Sequence, residues 1–128
     1  MPMERTGDGS RMRRVIIVDD DPDVRYLTRL TIESDSCEVV GEATNGAEAL
    51  DLADQIRPDA VVIDLRMPLM DGLEATRILR YRFPELRIIV LSGSDDPAME
   101  RQISAAGADA AVDKGKLDDL VIHLDDEV

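Results

Sequence analysis

The sequence predicts an α/β fold, a doubly wound five-stranded parallel sheet with helices on both faces. Three observations carry that prediction. Short β-branched apolar runs alternate along the chain with segments of helical periodicity, the order expected of a parallel sheet rather than a sandwich or a bundle. The runs are continuous rather than alternating, so they fit strands buried on both faces. Aromatic residues make up only 2% of the 128, against 44% hydrophobic, so the core must be aliphatic, as short buried strands require.

Taken in order, residues 1–13 read as a flexible leader: Pro2, Gly7, Gly9 and Ser10 fall there with no periodicity. Residues 14–128 read as one domain. The strong strand candidates are Val15–Val18, Ala60–Ile63 and Ile88–Leu91, and the weaker ones are Val39–Val40 and Ala110–Val112. The first helix, about 22–34, has a poor stripe of Val24, Leu27 and Thr31. The later helices have clearer faces: Ala49, Ala53 and Ile56; Ala75, Ile78 and Leu79; Met99, Ile103 and Ala106; Leu117, Leu120, Val121 and Leu124. Pro58, Pro84 and Gly107 each follow a helical pattern and stop it. Right-handed crossovers put such helices on both faces of the sheet, and the reactive crevice then lies beyond the carboxyl ends of the strands.

Charge narrows the function. The formal net charge is −13, which argues against unaided binding to nucleic acid or anionic lipid, since phosphate contacts need Lys and Arg. It suits partners with basic faces and bound cations. Cys37 is the only cysteine, so an internal disulfide and a cysteine metal site are excluded. With no apolar stretch of transmembrane length and no signal-peptide pattern, the simplest expectation is a soluble cytoplasmic protein.

The residues just after the strands carry the chemistry. Asp19, Asp20 and Asp21 follow the first strand, Asp64 the third, Ser92 and Gly93 the fourth, and Lys114 the fifth. One acid after a strand is an ordinary helix cap, but carboxylates, a hydroxyl and an ammonium delivered by four strands to one edge form a set. Two carboxylates about 4 Å apart repel by about 4 kcal/mol at an effective dielectric of 20, so the cluster demands raised pKa values or a cation. Mg²⁺ suits one or two carboxylates, a carbonyl, waters and a phosphate oxygen. An ammonium offsets the charge of an incoming phosphoryl group, which a carboxylate can accept as nucleophile. No GxxxxGK[ST] and no GxGxxG after a strand is present, so the route to phosphate is metal and carboxylate, not a nucleotide cradle.

The stretches VIIVDDDPDVR (15–25), VVIDLRMPLMDG (61–72), IIVLSGSDD (88–96) and GADAAVDKG (107–115) resemble, in order and from about 14 to 124, the receiver domain of two-component response regulators. The resemblance implies a flavodoxin-like sheet of strand order 2-1-3-4-5 and a regulatory phosphoacceptor rather than an enzyme. It implies Asp64 as the phosphoacceptor and a Mg²⁺ cofactor held by Asp20, Asp64, Asp19 through water, and the backbone carbonyl of Arg66. Ser92 and Lys114 would bind the phosphoryl group, Ser92 as the switch hydroxyl. Pro68 and Gly72 fit the turn into the next helix. Asp21 and Asp71 read as helix caps. Arg66 and Ser94 stand where side chains tune dephosphorylation. The implied partner is a histidine kinase or histidine phosphotransfer protein, with the downstream target unspecified. The chain's end just after the last helix leads to the expectation of a stand-alone receiver.

Two departures bear on output. Ala111 stands where many receivers carry Tyr or Phe, so no ring can swing there. Gly115 follows Lys114 where many have proline, which suggests a mobile loop beside the lysine. Two other readings remain open. A degenerate receiver acting by binding alone would lack an acid, the hydroxyl or the lysine, and all are present. A phosphatase of the haloacid dehalogenase type would need a second acid two residues after Asp64, where Arg66 stands. His123 reads as a surface residue, Cys37 as a small loop or strand-edge residue, and Met67, Met70 and Met99 as packing.

Overall fold

The computed structural model describes residues 12–93 and 96–125. Residues 1–11 of the expected leader, and Ser94, lie outside the described residues. Among the described residues, five parallel strands, β1 (Arg13–Val18), β2 (Cys37–Ala43), β3 (Ala60–Asp64), β4 (Arg87–Ser92) and β5 (Ala110–Asp113), form one sheet of order β2-β1-β3-β4-β5. The expected strand order is therefore observed. Between them run α1 (Pro22–Ile32), α2 (Gly46–Ile56), α3 (Gly72–Arg82) and α4 (Pro97–Ala105), and α5 (Asp119–Asp125) follows β5 after the short 3-10 turn Lys114–Lys116. β1 takes in Arg13, whose N–H donates to the Ser36 carbonyl at 2.8 Å, so the sheet begins one residue before the expected boundary.

Side-chain alternation along the strands divides the core in two. Ile16, Val18, Val61, Ile63, Ile88 and Val90 pack against α2, α3 and α4 through Ala49, Leu50, Ala53, Ala75, Leu79 and Ile103. Val15, Ile17, Val62, Ile89 and Leu91 face the other way, onto Ile32 of α1 and Leu120 and Leu124 of α5. Both faces of β1, β3 and β4 are thus covered, which is why their sequences are unbroken apolar runs. Each fully buried Ile or Leu contributes about 1.5–3 kcal/mol.

Two helix stripes differ from the sequence pattern. On α1 the buried residues are Thr28 and Ile32, while Leu27 is 52% exposed and Thr31 only partly buried. Residues 24, 28 and 32, spaced four apart, form a straight ridge, and a polar Thr in it hid the ridge from hydropathy. On α5, Val121 turns outward beside buried Leu120 and Leu124. Cys37 opens β2 and is buried against the α1 face. The stops behave as expected. Arg57 caps α2 in the left-handed region at φ 55°, just before Pro58, and Gly107 follows α4 at φ 110°, where a Cβ would also come within 2.9 Å of Arg80.

Candidate functional site

The carboxyl ends of four strands converge on one cleft of about 440 Å³. Asp19 and Asp20 follow β1, Asp64 ends β3, Ser92 ends β4, and Lys114 follows β5; all five line the cleft. The expected residues are therefore brought together. Arg66 lies on the rim with an exposed side chain. Asp21 also lines the cleft, but its carboxylate accepts the Asp23 N–H at 2.9 Å and caps α1. Asp71 caps α3 in the same way through the Glu74 N–H at 2.9 Å. Both act as caps, as expected.

The turn after β3 sets the position of Asp64. The Gly72 N–H donates to the Leu65 carbonyl at 2.9 Å, and a Cβ on Gly72 would stand 2.2 Å from the Asp64 carbonyl oxygen. Only glycine lets the start of α3 close so tightly on the strand end. The loop is also held from the side, where the Gly46 N–H of α2 reaches the Met70 carbonyl.

The electrostatics are those of a strained acid cluster. Asp19, Asp20 and Asp64 have carboxylate oxygens within 4.8 Å of one another. Asp19 is 0% and Asp64 3% exposed, while Asp20 faces solvent. The Asp21 N–H occupies Asp19 Oδ1 at 2.9 Å, whereas buried Oδ2 accepts no hydrogen bond among the described residues. Burial raises the Asp19 pKa above the ordinary carboxylate value. The Asp64 and Asp20 charges add to this, and the Asp21 N–H and Lys114 oppose it. Lys114 Nζ lies 2.8 Å from Asp64 Oδ1 and 3.6 Å from Asp19 Oδ2. Burial pulls the Lys114 pKa down, but the hydrogen bond to Asp64 and the two carboxylate charges outweigh it, and the net shift is upward. One ammonium thus serves two buried acids with a third beside them. In an all-oxygen cluster, a buried carboxylate oxygen that no described residue hydrogen-bonds, with only a longer 3.6 Å ion pair to Lys114, fits a hard divalent cation such as Mg²⁺.

Three features escaped the sequence reading. Arg25 of α1 donates through Nη1 to the Asp19 carbonyl at 2.8 Å, and Glu42 on β2 holds its Nε at 3.0 Å. An Arg four residues past a helix cap gives no signal of such a contact. Met99 of α4, expected only to pack, also forms part of the cleft wall. Gly115 does not lie in an open loop, since Lys114–Lys116 form a 3-10 turn.

The family model described as the response regulator receiver domain matches residues 15–125. Among curated relatives, the protein-glutamate methylesterase/protein-glutamine glutaminase 3 of Hahella chejuensis is 42% identical over 96 residues, covering 73% of this chain and 28% of its own. The response regulator GacA of Pseudomonas viridiflava is 36% identical over 105 residues, covering 81% of this chain and 49% of its own. The chain spans about half or less of the length of these relatives. Among solved structures, a LuxR-family two-component response regulator from Aurantimonas superposes with TM-score 0.81 at 34% identity, covering 87% of this chain and 81% of that one. The response regulator domain of Thermotoga maritima CheB gives 0.80 at 27%, covering 89% and 91%.

Proposed function

We propose, from the premise that this chain belongs to the response regulator receiver domain family of two-component systems, that it accepts a phosphoryl group on Asp64 and signals by changing its binding to a partner. The observation that carries this reading is the 2.8 Å pair between Lys114 and a nearly buried Asp64 at the floor of the acid cleft. The phosphodonor is a histidine kinase or histidine phosphotransfer protein, and the domain acts as a regulatory acceptor rather than a turnover enzyme. An Asp64 carboxylate oxygen forms the new bond to phosphorus while the bond from phosphorus to the donor imidazole nitrogen breaks, and the leaving imidazole keeps the electron pair. Lys114 moves its ammonium from the carboxylate to the phosphoryl oxygens, and the Ser92 hydroxyl donates to one of them. Asp20, Asp64, the Arg66 carbonyl and, through water, Asp19 would hold Mg²⁺, whose charge offsets that of the cluster and of the phosphoryl oxygens.

Millimolar Mg²⁺ raises the melting temperature of the wild-type protein by on the order of 5 °C through mass action on the folded state. Asp20→Asn melts higher than wild type without metal, because one repelling charge is gone, and responds less to Mg²⁺. A wild-type melting temperature unmoved by Mg²⁺ sinks the reading.

Lifetime of the phosphoryl group turns on Arg66 and Ser94. Hydrolysis needs a water in line with phosphorus, opposite the carboxylate. A guanidinium stays protonated and cannot act as base, and the long exposed side chain on the cleft rim shields the phosphorus. Ser94 is too small to direct a water strongly. Self-dephosphorylation is therefore slow, and Arg66→Asn decays severalfold faster in a single-turnover experiment. Slower decay in the variant would make Arg66 a promoter of hydrolysis.

A further inference from the structure

We propose that Asp113 is a positioning residue for Lys114, holding the one-turn 3-10 helix that carries the lysine so that its ammonium stands over Asp64. The proposal rests on the reading of Asp64 as acceptor.

Asp113 is the last residue of β5, in register beside Ser92 of β4. Its backbone is extended, φ −71° and ψ 131°, and its carboxylate caps the turn Lys114–Lys116, Oδ1 accepting the Gly115 N–H at 2.8 Å. A three-residue 3-10 turn has little to hold it, because nucleating a turn fixes several dihedrals for one hydrogen bond. The cap supplies a second bond at the point where strand becomes turn. It also fixes the direction in which the Lys114 side chain leaves the backbone, and a long, mobile stem gains most from a fixed origin.

The residue after the lysine makes this possible. A proline at 115 would have no N–H to give. Glycine has one, and the turn does not depend on glycine's freedom. A Cβ at 115 meets its nearest neighbour, Asp113 Oδ1, only at an ordinary 3.4 Å. The device therefore lies in the Asp113 carboxylate and the 115 N–H, not in a flexible loop.

Four variants separate the cap from its alternatives: Asp113→Ala, Asp113→Asn, Gly115→Ala, and Asp113→Ala combined with Lys114→Ala. The readouts are the labelling rate with acetyl phosphate and Mg²⁺ and hydrogen exchange at the Gly115 amide. The exchange measurement uses neither donor nor metal. Asp113→Ala is expected to label about tenfold more slowly and to expose the Gly115 amide to exchange. Asp113→Asn, which keeps an acceptor without the charge, and Gly115→Ala label within about twofold of wild type. In the Lys114→Ala background, Asp113→Ala adds nothing further, the non-additivity of two residues acting as one unit. Full-rate labelling by Asp113→Ala, an equal loss in the Lys114→Ala background, or failure of Asp113→Asn to rescue overturns the proposal. If wild type takes no label at all, the acceptor reading fails instead, and the exchange data still decide whether Asp113 holds the turn that carries Lys114.

Discussion

Asp64→Asn takes no label from acetyl phosphate in the presence of Mg²⁺, and labelling falls from full occupancy to background. The substitution keeps the side chain's shape and removes its nucleophilic oxygen. It also replaces the charged oxygen that holds Lys114 Nζ at 2.8 Å by a neutral amide acceptor, leaving Asp19 at 3.6 Å as the charged partner. The fold survives. Asp64 sits among acids whose oxygens lie within 4.8 Å, so loss of its charge relieves about as much repulsion as the lost ion pair supplied, and the melting temperature stays within about 5 °C of wild type. Intact mass and a melting curve check both halves. Undiminished labelling of the variant would move the acceptor to Asp20 or Asp19.

Lys114→Ala labels more slowly by on the order of 100-fold, the effect of losing one preorganised charge at the transferring group. Ser92→Ala loses less, about tenfold, because a neutral hydroxyl is a weaker donor than an ammonium. Rates from quenched time courses separate the two, and equal severe losses would contradict the division. Lys114→Ala has a second signature in stability. It strips the cation from two buried carboxylates, one of which, Asp19, already has a raised pKa. An acid with a folded pKa above its unfolded value costs no stability below the unfolded pKa, costs progressively more as pH rises from there to the folded one, and has its full cost above both. The variant therefore loses more stability relative to wild type near neutral pH than in mild acid, and Mg²⁺ recovers part of the loss.

The sequence showed most clearly what burial makes uniform. β1, β3 and β4 are covered on both faces, so their apolar runs were unbroken. β2 and β5 are edge strands, and their burial is broken by exposed positions, Glu38 and Glu42 in one and Ala111 in the other. Only fragments of them stood out. The site's five cleft residues were legible because strand ends in this topology share one edge, so position along the chain translated directly into proximity. What stayed hidden depends on contacts that residue type does not encode. Arg25 acts through a backbone carbonyl, and Thr28 is a polar residue in an apolar ridge. Gly115 suggested freedom, whereas its N–H is tied to Asp113. The absence of a ring at position 111 was plain in sequence, and the structure leaves Ala111 exposed on β5.

The most direct test is to locate the adduct on the wild-type protein. After incubation with acetyl phosphate and Mg²⁺, the account predicts one added phosphoryl group by intact mass, stable in acid and lost in base. Chelation of the metal should abolish it. Borohydride reduction of the acyl phosphate, followed by peptide mapping, should convert residue 64 alone to homoserine. Labelling that persists without divalent metal, or homoserine at position 19 or 20 with Asp64 intact, would contradict the account.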